Sequence, residues 1–174
     1  MLGKFPISIK TIENNFSYPF VMKKNTGSQG KGVYLIKDQE YFEEVQELLS
    51  ESDKKFNFIF QAFVDFSYGK DLRVYVIGGR AIGAMQRSSA KGFRANVSKG
   101  ATVENFELTP EIEWLAVEAS NILGLEISGV DLLFEDGSYK IYEVNSNPGF
   151  EAFEAATSIN IPEEIFRFIS IRLG

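Results

Sequence analysis

The 174-residue sequence contains neither cysteine nor histidine. Without cysteine there is no disulfide framework, no thiolate nucleophile and no thiolate metal site. Without histidine the commonest general base is gone, and with it the serine-type triad and the usual zinc ligands. No apolar run approaches the roughly 20 residues that span a bilayer. The opening MLGKFPISIK has no apolar signal-peptide segment, so a cytoplasmic location without a membrane partner is expected. Positive charge is also in deficit: 18 Lys and Arg against 24 Asp and Glu leave a net charge of -6, which argues against a general nucleic-acid binder. Internal repeats and low-complexity linkers are absent as well.

What remains is ordinary for a globular chain, 44% hydrophobic and 24% charged, enough for one core or two small lobes. Any chemistry must use carboxylates, amines, guanidiniums, backbone amides and metal-bound phosphates.

The stretch Gly129 to Gly149, GVDLLFEDGSYKIYEVNSNPG, carries the densest information. Two apolar runs, Val130 to Phe134 and Tyr139 to Val144, flank the turn Glu135-Asp136-Gly137-Ser138 and predict a hairpin. Asp131 interrupts the first run. Alternation puts Glu143 and Asn145 on one face of the second, and a tight turn places Asp131 across from them. Oxygen donors converging in this way suit a hard cation such as Mg²⁺, which leaves positions open for substrate phosphates. The alternative is an exposed hairpin with solvated acids.

Upstream, residues 1 to 17 carry little signal, with FPISIKTI read as a strand and IENNFS as a loop. Tyr18 to Lys23 reads as a strand, followed by the loop NTGSQGKG and a second strand from Val33 to Lys37. The loop's three glycines in six residues let backbone N–H groups approach an anion such as phosphate, although a flexible hairpin tip has the same composition. Asp38 caps a helix over Gln39 to about Ser50, with Phe42, Val45, Leu48 and Leu49 as its apolar stripe. Phe56 to Val64 reads as a buried strand, and Asp71, Arg73 and Tyr75 share one face of the next. Gly78-Gly79 turns into a strand over Arg80 to Arg87. The polar loop SSAKGFRANVSKGA follows, with Arg87 at its start, Lys91, Arg94 and Lys99 within it, and no acid. In an acidic chain this suggests an anionic ligand, with solvated basic residues the alternative. Arg94 and Asn96, two apart, are placed to face a triphosphate. Thr109-Pro110-Glu111 starts a helix with the stripe Ile112, Leu115, Ala116, Ala119, Ile122 and Leu123. Helices over Phe150 to Thr157 and Pro162 to Leu173 close the chain, the second packing Ile165, Phe168, Ile169 and Ile171.

Taken in order, FVMKKNTGSQGKGV, FIFQAFVDFSYGKDLRVYVIGG, GFRANVSKGA, SGVDLLF and YEVNSNPGFE closely resemble the ATP-grasp superfamily. The match is to its ribosomal-protein-S6 glutamate ligase-like (RimK-type) branch, over about Tyr18 to Leu173. The resemblance implies an α+β fold of two small lobes with mainly antiparallel sheets, flanking helices and ATP between them. The glycine-flap lobe would cover about 18–63 and the metal-binding lobe about 64–174. By the same resemblance Lys23 contacts ATP phosphates, and Ser28, Gln29, Gly30, Lys31 and Gly32 form the flap. Gln61, Ala62 and Phe63 form the adenine hinge, and Asp71 is a nucleotide-contacting acid. Arg73, Arg87 and Arg94 line the phosphate and acyl-phosphate region as catalytic groups, with Asn96. Asp131, Glu143 and Asn145 match the metal ligands, Mg²⁺ with Mn²⁺ as a substitute.

The implied reaction is an ATP-dependent ligation of a carboxylate to an amine through an acyl phosphate. Glutamate or a similar amino acid would be joined to a peptide, protein tail or small-molecule acceptor. Assembly into a homo-oligomer is compatible with this. An ATP-binding module that is inactive alone is the alternative, because the family also carries an N-terminal α/β domain and a helix with a further ATP-contacting lysine ahead of the matched region. Two local departures stand out: Lys24 replaces a common proline after the phosphate lysine, and Ala62 replaces the usual hinge acid.

Overall fold

The computed structural model describes residues 1–4, 7–26, 32–51, 57–90, 92–95 and 100–174. Ser28, Gln29, Gly30, Lys31 and Asn96 therefore lie outside the described residues, as do Lys91 and Lys99. The chain divides into two compact units, Met1–Phe63 and Val64–Gly174.

In the first unit β1 (Leu2–Lys4), β2 (Phe20–Lys24), β3 (Val33–Ile36) and β4 (Asn57–Ala62) form an antiparallel sheet in the order β1-β4-β2-β3. Helices α1 (Ile9–Glu13) and α2 (Gln39–Ser50) contribute Ile12, Phe42 and Val45 to the core, where they meet Phe20, Met22, Ile36, Phe58 and Phe60. The ring of Phe42 stands edge-on to Phe20 at 5.5 Å and to Phe60 at 6.3 Å. Over the described residues 7–12 the segment FPISIKTI is thus no strand: β-branched propensity there yields to burying Ile12 from a helical turn. The α2 cap is as expected, with the Asp38 side chain accepting from Tyr41 N. Leu48 is 67% exposed, because at 100° per residue it lies roughly 90° round the helix from the Phe42, Val45 and Leu49 stripe. β4 buries only alternate residues, Phe58 and Phe60, so it is a half-buried strand rather than a fully buried one.

The second unit holds β5 (Lys70–Ile77), β6 (Arg80–Ser88), β7 (Thr102–Phe106), β8 (Ile127–Glu135) and β9 (Ser138–Asn145), all antiparallel in the order β7-β6-β5-β8-β9. β7 is absent from the sequence reading. Its residues are mostly exposed at the sheet edge, so TVENF lacks the apolar alternation that marks a strand. Helix α3 (Pro110–Ile122), capped by Thr109, packs Ile112, Ala116 and Ala119 on Leu72, Val74, Val76, Val130 and Leu132. Its last turn runs past this stripe, leaving Ile122 81% exposed and Leu123 exposed. Helices α4 (Glu151–Thr157) and α5 (Ile161–Leu173) bring Phe153, Ile161, Ile165 and Phe168 to Tyr75, Ile77 and Met85. Ile171 faces outward, contrary to the expected stripe. At the β5–β6 turn both glycines have positive φ, and a Cβ on Gly78 would fall 2.4 Å from the Phe168 ring.

Candidate functional site

Alternation along β5 sends Leu72, Val74 and Val76 into the α3 core and Asp71, Arg73 and Tyr75 to the other face. Cross-strand register then chooses their neighbours. Arg73 pairs with Asp131, Asp71 with Arg87, Asp131 with Glu143, and Tyr75 with Gly129, which in turn faces Asn145. Four strands thereby bring Asp71, Arg73, Arg87, Asp131, Glu143 and Asn145 together.

The contacts are dense. Arg73 donates from Nε to Oδ1 and from Nη2 to Oδ2 of Asp131, both at 2.7 Å. Arg87 donates from Nε to Asp71 Oδ1 at 2.6 Å and from Nη2 to Asp71 Oδ2 at 2.9 Å, and the same Nη2 lies 2.9 Å from Asp131 Oδ2. Two guanidiniums and two carboxylates cancel in charge, which is what permits their burial. Burial alone would raise the Asp131 pKa, but Arg87 and Arg73 outweigh it and hold this carboxyl below its ordinary range. For Asp71 burial dominates over the pull of Arg87, so its carboxyl lies above the ordinary range. Burial disfavours the Arg73 and Arg87 guanidiniums, yet Asp131 holds the proton of Arg73 more firmly, and Asp131 with Asp71 that of Arg87.

Sequence reasoning missed Tyr142. Strict alternation places it opposite to Glu143, but the β8–β9 ladder steps from Asp131↔Glu143 to Leu132↔Ile141, leaving Tyr142 as the extra residue of a bulge. Its hydroxyl donates to Asp71 Oδ2 at 3.3 Å, and burial raises its pKa well above the ordinary phenol value. No local signal in YKIYEVN announces the bulge. A second missed contact supports the loop after β9: Tyr75 Oη donates to Pro148 O at 2.9 Å. Gly129 allows this loop to approach, since a Cβ there would lie 2.7 Å from Pro148 Cβ. Asn145 Oδ1 accepts from Asn147 N at 2.9 Å and fixes the turn.

These residues fit a hard divalent cation. Among the described residues Asp131 Oδ1 accepts only from Arg73 Nε, so it keeps a lone pair. Glu143 is exposed directly across the ladder, and the Asn145 amide oxygen keeps a second lone pair. Two carboxylates and an amide oxygen match Mg²⁺ chemistry and leave other positions for phosphates or water. Among the described residues there is no cluster of three or more His, Cys, Asp or Glu that could hold a metal, so a cation here relies on this mixed set.

Arg94 is half-buried with its guanidinium carbon 5.6 Å from the Phe93 ring centre. In the first unit Lys23 sits on β2 opposite Val33 and Ile59. Gly32 has φ +72° and its carbonyl accepts from Lys24 N at 2.9 Å, just beyond the end of the β2–β3 ladder. Gln61 and Ala62 end β4, and Phe63 follows them.

The two-sheet architecture is that of ATP-grasp proteins. The ATP-grasp ligase PsnB, solved with a minimal precursor, Mg and ADP, superposes with a TM-score of 0.64 at 22% identity, over 88% of this chain and 46% of its own. Residues 6–169 match the RimK-like ATP-grasp domain, and the chain belongs to that family. It is 37% identical over 157 residues to a probable alpha-L-glutamate ligase of Trichodesmium erythraeum, covering 90% of this chain and 52% of the relative. It is 38% identical over 146 residues to human N-acetylaspartylglutamate synthase A, covering 83% of this chain and 37% of the relative. The chain thus spans about half or less of the length of these relatives. Among the described residues, no helix is long and apolar enough to cross a membrane.

Proposed function

We propose that the chain is the nucleotide- and metal-binding part of a ligase that joins a carboxylate to an amine at the expense of ATP. Glutamate, or an amino acid like it, is the substrate. The acceptor is a peptide, a protein tail or a small molecule. The observation that carries the reading is the placement of Asp131 opposite Glu143, one pleat from Asn145 and beside two arginines. The names of the relatives, glutamate ligase and N-acetylaspartylglutamate synthase, supply the reaction class.

In this reading Asp131, Glu143 and Asn145 hold Mg²⁺, which neutralises the triphosphate when bound. Mn²⁺ serves as its laboratory substitute. Lys23 and the Gly32-based flap hold the phosphates, Gln61 to Phe63 the adenine, and Asp71 contributes through its hold on Arg87. A substrate carboxylate oxygen attacks the γ-phosphorus as the bond to the β-phosphate bridge breaks, giving ADP and an acyl phosphate. The amine nitrogen then attacks the acyl carbon, loses a proton, and phosphate departs as the amide forms. The side chains of Arg73, Arg87 and Arg94 stabilise the negative charge, so no protein nucleophile is needed, in keeping with a chain that lacks both cysteine and histidine.

Calorimetric titration of ATP, with and without Mg²⁺, into wild type and the Asp131→Ala, Glu143→Ala double variant tests the site. Binding that depends on Mg²⁺ and weakens in the folded variant is expected. Equal binding by both proteins would refute the metal assignment. A second reading, nucleotide binding without turnover by these residues alone, is favoured by the span of about half of the glutamate ligase relative. ADP release on addition of glutamate and an acceptor amine decides between the two.

A further inference from the structure

Arg73 and Arg87 hold Asp131 in different ways. Arg87 has two bonds to Asp71, at 2.6 and 2.9 Å, and only its Nη2 reaches Asp131. Both Arg73 bonds go to Asp131, and among the described residues it has no other hydrogen-bond or ion-pair partner. Its side chain is 14% exposed, against 4% for Arg87 and 2% for Asp131. Arg87 is anchored whatever Asp131 does, whereas among the described residues Arg73 is held by Asp131 alone.

A cation arriving between Asp131 and Glu143 meets this arrangement from the Glu143 side. Bound to the remaining lone pair of Asp131 Oδ1, it would draw electron density from the carboxylate that Arg73 grips. It also places positive charge beside the guanidinium, at short range and in a poorly screened setting. Both effects weaken the Arg73–Asp131 bonds, and Arg73 is the partner able to leave. Once detached, a planar guanidinium with both donor edges open is suited to a phosphate or carboxylate.

We infer that Arg73 is an internal counter-cation at Asp131 that a divalent metal ion displaces, so that metal binding delivers Arg73 to the incoming anionic substrate. The inference rests on the metal site proposed above and adds an order to it: cation first, anion second. It also makes Arg73 a competitor of the metal in the absence of nucleotide. Coupling between the two ligands then passes through one side chain, and by linkage each strengthens the other.

The test is Mn²⁺ binding to the intact 174-residue chain without nucleotide, read from the electron paramagnetic resonance signal of free Mn²⁺. Arg73→Gln removes the competing charge and should bind Mn²⁺ about tenfold more tightly than wild type, the scale on which groups around metal ligands act. Arg73→Lys keeps the charge but not the two-pronged grip, so it should fall between them and provides a folded comparison if the glutamine variant does not fold. Asp131→Asn should abolish the gain when combined with Arg73→Gln. Unchanged or weaker Mn²⁺ binding in folded Arg73 variants, with binding still lost in Asp131→Asn, overturns the exchange and leaves the metal site standing. No Mn²⁺ binding by wild type or by either Arg73 variant, all folded, overturns both.

Discussion

Arg73 and Asp131, 58 residues apart in sequence, face each other across β5 and β8 and share two 2.7 Å hydrogen bonds. The pair is buried, so its value lies mainly in what happens when one member is lost. Asp131→Asn keeps the shape but leaves two guanidiniums with a single carboxylate between them. A loss of about 3–5 kcal/mol in unfolding free energy is expected, read from urea denaturation at neutral pH. A loss below about 1 kcal/mol, the range of exposed pairs, would show that the network is hydrated in solution.

The same carboxylate sets an acid limit. Its folded pKa lies below the unfolded value, so its contribution is fully present above the ordinary aspartate value of about 3.9 and disappears as pH falls through the folded value. Asp71 acts in the opposite sense, its raised pKa favouring the folded state on protonation and partly offsetting the loss. Asp71→Asn is therefore expected to lose stability more steeply in acid than wild type, and Asp131→Asn less steeply. Parallel urea midpoints for the three proteins from neutral pH down to about pH 3 would contradict this.

Gly129 is where the loop after β9 touches the sheet. Gly129→Ala puts a methyl 2.7 Å from Pro148 Cβ, and the loop must shift. We expect a cost of about 1–3 kcal/mol, as for other overpacked positions, together with weaker Mn²⁺ binding because Asn145 begins this loop. Tyr75→Phe removes the bond to Pro148 O without adding bulk and should reproduce a smaller part of both effects. Unaltered Mn²⁺ affinity in both variants would separate the loop from the cation site.

In the other unit the Asp38 cap offers a control remote in sequence from the acid–arginine network. Asp38→Ala leaves Tyr41 N without its side-chain acceptor and should lower stability by about 1 kcal/mol in thermal unfolding, with Mn²⁺ affinity unchanged.

Much of this architecture is legible in local sequence. The α2 and α3 starts follow from Asp38 and Thr109, and the β5–β6 hairpin from Gly78-Gly79, because each depends on residues close in sequence. Within the Asp131, Glu143 and Asn145 cluster only the shared face of Glu143 and Asn145 is legible, from period-2 alternation, because a tight turn alone would set Asp131 opposite Tyr142 and the bulge at Tyr142 is what brings it across from Glu143. The ion pairs are not, since Arg73–Asp131 and Arg87–Asp71 require register between strands that composition does not specify. β7 was hidden because an exposed edge strand needs only one partner and little apolar surface. The helix α1 was hidden because Ile12 is placed by the core it enters and not by its neighbours. The Tyr142 bulge defeats alternation altogether.

The cancelling charges on β5, β6 and β8 also bear on how such a protein diverges. A lineage that loses Asp71 leaves Arg87 with only its Nη2 contact to Asp131, and one that loses Asp131 strands Arg73. Sequence drift at these positions should therefore proceed in matched exchanges, acid with base, so that descendants carry either the whole set or a jointly altered one. A homologue holding a lone member would mark a chain that has given up the site.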